Sequence, residues 1–346
     1  MLCQKKIKFK LIYTIMKKTL LLVLALLFSQ SLFPALARIE VLEHTERLPQ
    51  VASQSREELQ MLATLRARHS LLRKLSGHLS GWSEFQKIEK ARLESLAAQL
   101  FTVDTLNLSP PNSSEVTIKT KVTVDSLLIP EDLTLYLHEQ HFSLLNLQKH
   151  LNYTWHLEEE LALYLNLLAS TPNPQTAELH RMQTGAPLKQ RYAAMEMFYQ
   201  GTEAMRLRRQ RESEELFSAA LKLDPQYELA YFMRGMTHLR SQKYDLALAD
   251  FETGLKLNPT DQSFLFGRAL AYTRQGLFPT RALADLNHLI KLNPNRSRLY
   301  DLRAENQFLL NNCYRAREDY AQACNLGYRQ ACTAECRQNL RSDQLR

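Results

Sequence analysis

The 346 residues carry a formal net charge of +8 with only 9 glycines, enough chain for two domains or for one domain and an array. So little glycine argues against a Gly-rich nucleotide-binding fold and for long helices. Lys5, Lys6, Lys8, Lys10, Lys17 and Lys18 supply six of those eight net charges in a segment without acids, so the basic pI is no argument for nucleic acid.

Residues 16–37 read Met-Lys-Lys, an apolar run from Leu20 to Phe28, then Ala35-Leu36-Ala37. A positive region, an apolar region and a small-x-small site are the layout of a secretory signal. The run is shorter than the ~20 residues that span a bilayer, which favours a cleaved signal over 1–37 above a retained anchor. Met16 is an alternative start. The mature chain would begin at Arg38, be exported in a bacterium to the periplasm or beyond, and keep a net charge of about +2 once the six lysines leave +8.

Residues 38–128 are expected to form a small α/β domain. Ser55 and Glu58 have capping-box spacing, and Met61, Leu62, Leu65, Leu72 and Leu75 place a helix to about Leu75 that Gly77 and Gly81 would break. A second helical segment is predicted over Glu84–Leu100. Val116, Ile118, Thr120, Val122 and Val124 alternate with polar residues, the mark of a half-buried strand. Phe101–Leu108 reads as its partner, and Ile39–Glu43 as a candidate third strand. Helices, then Leu96-Ala97-Ala98, then strands resemble small α/β domains at the front of secreted bacterial envelope and flagellar-associated proteins.

Residues 129–190 are expected to hold a long helix or helical hairpin and a linker. Pro130-Glu131-Asp132 opens a helix that could persist to Ala169, with Leu133, Leu137, Leu144, Leu147, Leu151, Leu161, Leu165 and Leu168 as its stripe. It could pack on its own domain, or serve as a docking arm or a dimer seam. His138, His141, His150 and His156 invite a metal, but His138-Glu139-Gln140-His141 lacks the zinc-protease spacing, and no metal or other cofactor is expected.

Repetition dominates residues 191–340, ahead of a tail at 341–346. Leu223-Asp224-Pro225, Leu257-Asn258-Pro259 and Leu292-Asn293-Pro294 recur 34 and 35 residues apart. Between the first two lie Tyr231, Gly235, His238, Ala247, Phe251 and Gly254. Small residues such as Gly235 and Ala247 let paired helices approach, Phe251 fills the gap, and Pro259 ends the second helix. Gly201, Phe217 and Pro225 occupy the frame once before, with Ser213 in place of the usual alanine. Ala269, Ala282 and Pro294 occupy it once after, and Ala316 and Tyr320 once more without a closing proline. This pattern resembles the tetratricopeptide repeat, in four copies over about 194–338. The fold expected is mainly α: a tetratricopeptide α-solenoid preceded by a small α/β domain and a long helical segment. The run Arg206, Arg208, Arg209 and Arg211 lies among acids and reads as a solvated helix corner.

Four cysteines would survive export, Cys313, Cys324, Cys332 and Cys336. Two disulfides are expected in an oxidising compartment, among three pairings. The segment Ala323-Cys324-Asn325-Leu326-Gly327 to Ala331-Cys332 resembles the cysteine-bearing junction of Sel1-like repeats, and that resemblance implies Cys324 with Cys332 and Cys313 with Cys336.

No phosphate loop, nucleophile elbow or paired-carboxylate context is present, so no enzyme is expected. In arrays of this family the fifth position of each first helix faces the hollow. Here it is Phe198, Phe232 and Phe266, then Asp301, with Met236, Leu270 and Glu305 at ninth positions. The resemblance implies a groove apolar over three repeats and acidic at its end. It lacks the Lys and Asn with which relatives hold carboxylate-ended chaperone tails. The expected partner is a protein or peptide, with no nucleic acid and no small-molecule substrate. Three readings stay open: an apolar peptide or helix in the groove, occupation by 131–169 of the same or a second subunit, or phenylalanines that merely pack between helices.

Overall fold

A computed structural model describes residues 39–334 apart from 52, 83–84, 87, 89–92, 95, 99–100, 102, 111–112 and 126–140. The expected signal segment, the opening of the long helix at Pro130, His138 and Cys336 lie outside the described residues.

Three strands form an antiparallel sheet in the order β1-β3-β2, with β1 at Ile39–Pro49, β2 at Val103–Asn107 and β3 at Glu115–Asp125. The alternation in β3 does what it predicts: Val116, Ile118, Thr120, Val122 and Val124 are buried. β1 runs six residues beyond Glu43, because its own alternation persists to Leu48 opposite Val116. Helix α1, Arg56–Ser80, covers the buried face and starts at the expected capping box, with Ser55 and Glu58 exchanging backbone bonds. It does not break at Gly77. Leu75 and Leu79 are fully buried beside Val122 and Val124, and that burial outweighs a cost of ~1 kcal/mol for glycine in a helix. Gly81 supplies the cap instead.

Helix α2, His141–Ser170, ends one residue past the expected Ala169. Its later leucines, Leu157, Leu161, Leu165 and Leu168, join Leu59, Leu62 and Leu65 of α1 and Val116 and Ile118 of β3 in one core. The stretch expected as a linker is helical: α3 spans Pro174–His180, a π-turn spans Arg181–Gly185, and α4 spans Ala186–Arg206. Asn173 caps α3, and Gly185 lets the chain pass under the Tyr164 ring, whose hydroxyl donates to Glu58 at 2.7 Å. Among the described residues, no helix is long and apolar enough to cross a membrane.

Four antiparallel helix pairs follow. They are α4 with α5 (Gln210–Leu223), α6 (Glu228–Arg240) with α7 (Tyr244–Leu257), α8 (Gln262–Gln275) with α9 (Pro279–Leu292), and α10 (Ser297–Leu309) with α11 (Cys313–Asn325). Pro225, Pro259 and Pro294 each stand just past the end of a second helix. The rings and glycines interlock. A methyl on Gly201 would meet Phe217 at 2.8 Å, methyls on Gly235 and Gly267 would each meet Phe251 at 2.6 Å, and one on Gly254 would overlap Phe264. Ala247, Ala269, Ala282 and Ala316 are fully buried at the other close approaches, with Tyr320 packed on the last. Ser213 stands where alanine was expected because its hydroxyl donates to the Gly201 carbonyl at 3.0 Å.

A second periodic feature ties the last three pairs together. Arg234 grips Asp250, Arg268 grips Asp285 and Arg303 grips Asp319, each through two guanidinium nitrogens at 2.6–3.2 Å. The aspartates are buried, where a bidentate arginine is the partner that offsets desolvation. At the end of the array the Cys324 and Cys332 sulfurs lie within bonding distance, and Tyr328 and Ala331 cover Ala323. Cys313 is buried under α10 and α11.

The interlock makes two glycine substitutions opposite in sign. Gly254→Ala should destabilise by about 1–3 kcal/mol through the Phe264 overlap, although alanine is the better helix former. Gly77→Ala, with nothing within 4 Å of the added methyl, should stabilise by about 0.4–1 kcal/mol; urea titration measures both. Glu58 is also informative: burial raises its pKa, but bonds from the Tyr164 hydroxyl and Ser55 outweigh that and hold it below the usual value. A depressed carboxylate stabilises the fold above its unfolded pKa and loses that contribution as pH falls through the folded one. The melting temperature should therefore drop as pH falls below the ordinary glutamate value of 4.5, and Glu58→Gln should flatten that limb.

Candidate functional site

The first helices of the four pairs, α4, α6, α8 and α10, share one wall of the array. α2 lies across that wall, touching α4, α6 and α8. It reaches the entries of α6 and α8, where backbone N–H groups and the positive end of the dipole lie, and meets α4 further along, at Phe198 and Tyr199. The Lys149 ammonium reaches Asp261, the N-cap of α8. The Tyr153 hydroxyl donates to Asp224 at 2.8 Å, and its ring stacks on Tyr227 with centroids 4.4 Å apart. Tyr227 in turn bonds the His150 Nδ1 at 2.7 Å. Leu145 packs, as Phe266 and Leu270 do, against the core of α8, α9 and α10.

These contacts decide where the predicted groove residues stand. Phe198 and Phe232 are 3% and 4% exposed; His150 lies over Phe198 at 4.7 Å, while Phe232 meets Phe251 and Phe264 at 5.9 Å each. Phe266, Leu270 and Met236 are half-buried. At the far end Asp301 pairs with Arg298 at 2.6 Å and Glu305 with Arg274 at 3.1 Å, so both carboxylates already have cations beside them. Burial raises the Asp301 pKa, against the pull of Arg298.

His150 and His156 are not brought together. His156 is exposed and bonds the Asn152 carbonyl of its own helix. His150 is 2% exposed, and burial, then Arg68 and His69, push its pKa down to about 3, so the ring is neutral. The neutral ring shares one hydrogen bond between its Nδ1 and the Tyr227 hydroxyl, and its tautomer decides which of the two donates. Among the described residues the ring Nε2 has no hydrogen-bond partner, and neither has the Nδ2 of Asn146 one turn before it. An unpaired buried polar group costs about 1–3 kcal/mol. The two residues border a cavity of about 480 Å³ walled by α1, β2, α2, α4 and α6, while the two nitrogens themselves are closed off from it.

A second cluster on α2 has the order of a catalytic chain without its access. Glu158 bonds the His69 Nδ1, and the His69 Nε2 faces the Thr154 hydroxyl at 2.9 Å. Thr154 is fully buried, and its hydroxyl also donates to the Leu151 carbonyl at 2.9 Å. The cluster joins α1 to α2, with burial lowering the His69 pKa against the Glu158 charge.

Sequence reasoning missed Asn146, Lys149 and Tyr153, whose partners are set only by the docking of α2. It also missed the arginine–aspartate grips, which were legible: Arg234, Arg268 and Arg303 recur at 34 and 35 residues, as do Asp250, Asp285 and Asp319.

Comparison with known proteins bears on the array. Over 120 residues, 35% of this chain, the sequence is 27% identical to Hsp70-Hsp90 organizing protein 3 of Arabidopsis thaliana, and the match spans 20% of that protein's length. MamA of Desulfovibrio magneticus RS-1 superposes with a TM-score of 0.38 at 17% identity over 50% of this chain and 96% of the other. A thermophilic tetratricopeptide protein of Thermus thermophilus superposes at 0.35 and 23% identity over 39% and 75%. The family model for the tetratricopeptide repeat matches residues 232–297, which are the second and third of the four interlocked helix pairs. Residues 232–297, then, are tetratricopeptide repeats, and the helix pairs before and after them repeat the same interlock.

Proposed function

We propose that the chain is an exported, non-enzymatic scaffold that holds a protein partner against the first-helix wall of its repeats. One observation carries the reading: the wall already holds a helix, its own α2, through ring stacking, an apolar contact at Leu145 and side-chain bonds to helix entries. A wall with that chemistry suits another amphipathic segment. On it Met236, Phe266 and Leu270 are half-buried, and aromatic residues of this kind dominate interface energies. The plant relative is by its name an organizing protein for two chaperones, which agrees with a partner-holding role. Chaperone tails ended by a carboxylate are not the class proposed, since phenylalanine, methionine and leucine stand where lysine and asparagine would be needed.

The non-enzymatic part is supported by the sealing of the Glu158–His69–Thr154 chain, which leaves no room for a reacting carbonyl. Export is supported by the signal-like segment 1–37 and by the cysteine pair at the array's end, since such bonds persist in oxidising compartments.

A second reading, a structural envelope protein whose wall is filled for good by α2, is favoured by the leucine core that fixes the later half of that helix. Capture from an envelope extract separates the two. Wild-type protein should retain partners that Phe266→Ser with Leu270→Ser releases at least about tenfold, or ~1.4 kcal/mol. Recovery of the same proteins by both would remove the groove assignment. Mass mapping of the exported chain without reductant should recover Cys324 joined to Cys332; free thiols at both would contradict export to an oxidising compartment.

A further inference from the structure

The sheet of the N-terminal domain ends in an open edge. β1 pairs with β3 on one side, and among the described residues no strand pairs with its other side. Gln50 donates to the Ser114 carbonyl at 2.7 Å, in the register of the ladder. The alternation of an antiparallel pair therefore turns the even-numbered residues of β1 toward β3. It turns the N–H and C=O of Val41, Glu43, Thr45 and Arg47 outward. The Lys74 ammonium of α1 donates to the Glu43 carbonyl at 3.0 Å, where a neighbouring strand's N–H would stand. Monomeric folds guard such edges by keeping them short, by a bulge or by proline. β1 has 11 residues, pairs with β3 without a bulge, and meets proline only at its last position. β2, at the opposite edge, has 5, and Arg68 reaches its Thr105 hydroxyl.

The side chains of β1 complement their own reversed order. Laid antiparallel on a copy of itself with Thr45 opposite Thr45, the strand sets Glu43 against Arg47, His44 against Glu46 and Leu42 against Leu48. The faces agree as well: Leu42 and Leu48 pack on the cores under the sheet, while Glu43 and Arg47 lie on the outer face. Every outward N–H from Val41 to Arg47 then has a carbonyl opposite. Pro49, which has no N–H, falls opposite Val41 at the end of the pairing. Neighbouring registers fail. With His44 opposite itself, Leu42 meets Glu46 and Leu48 meets Glu40; with Glu43 or Glu46 opposite itself, carboxylates meet. Arg47 is exposed and has no carboxylate within ion-pair distance among the described residues.

We propose that β1 pairs with β1 of a second copy of this chain about a two-fold axis at Thr45, joining two three-stranded sheets into one. The surface is isologous, so each copy supplies both sides of every contact. Lys74 yields the Glu43 carbonyl to the Arg47 N–H of the second copy. One dimer then carries two repeat arrays, whatever the arrays hold, so the pairing does not depend on the scaffold reading.

Sedimentation velocity of the purified full chain tests this. Wild type should show a monomer–dimer equilibrium at micromolar concentrations. Arg47→Glu and Glu43→Arg should each weaken it at least about tenfold, because each sets like charges opposite one another. Mixed in equal amounts, the two variants should recover the dimer, since each complements the other in this register. Thr45→Pro removes only an outward N–H and, with its fold verified by circular dichroism, should remain monomeric. Phe266→Ser with Leu270→Ser should leave the dimer intact. The proposal is overturned if wild type is monomeric throughout, if the mixture stays as weak as its components, or if Thr45→Pro still dimerises. It is overturned too if the Phe266 and Leu270 variant dissociates, which would place the contact on the array.

Discussion

Helix α2 is shared between two cores, and the placement of everything else follows from it. Its later half contributes Leu157, Leu161, Leu165 and Leu168 to the core under the sheet; its earlier half meets the array through Lys149, His150 and Tyr153. The two halves differ in kind. Leucine packing is non-directional and strong in proportion to area, so it fixes the helix to the N-terminal domain. Hydrogen bonds and stacked rings are directional and worth less net, so they set the register on the array without making that contact a continuous apolar core.

The array can receive such a helix because its own packing is stiff. Phe217 and Phe251 sit in notches left by Gly201, Gly235 and Gly267, and notches without a Cβ admit little sliding. The arginine–aspartate grips add a polar restraint at the same period. A rigid wall met by a directional contact is the situation in which a cavity between them persists, since neither side can collapse to fill it. The buried nitrogens of Asn146 and His150 that lack partners among the described residues lie at that seam. So does Arg68, which donates to Glu196 of α4 at 2.7 Å and lies over Tyr199.

Much of the fold was legible because it is local or periodic. Ser55 and Glu58 announced the start of α1, the alternation from Val116 to Val124 announced β3, and the 34-residue recurrence of proline, glycine and phenylalanine announced the helix pairs. The errors have physical causes too. Gly77 was read by propensity, whereas burial of Leu75 and Leu79 carries α1 past it. The linker expected within 129–190 is helical, because Asn173 and Pro174 start a helix there and Gly185 passes beneath a tyrosine.

The candidate site divides along the same line. The amino-acid order alone determined that repeats exist and that Phe198, Phe232 and Phe266 share a position in them, because a fixed period makes neighbours in sequence into neighbours in space; that this position faces the hollow is what the family resemblance implied. Tertiary structure alone decided that α2 crosses this wall, that Asp301 and Glu305 are already paired, and that Asn146 and His150 face a cavity walled partly by β2. Such placements rest on contacts between segments as far as 128 residues apart, and no local pattern encodes which distant surface a helix will meet; only the summed burial of both halves of the chain selects it.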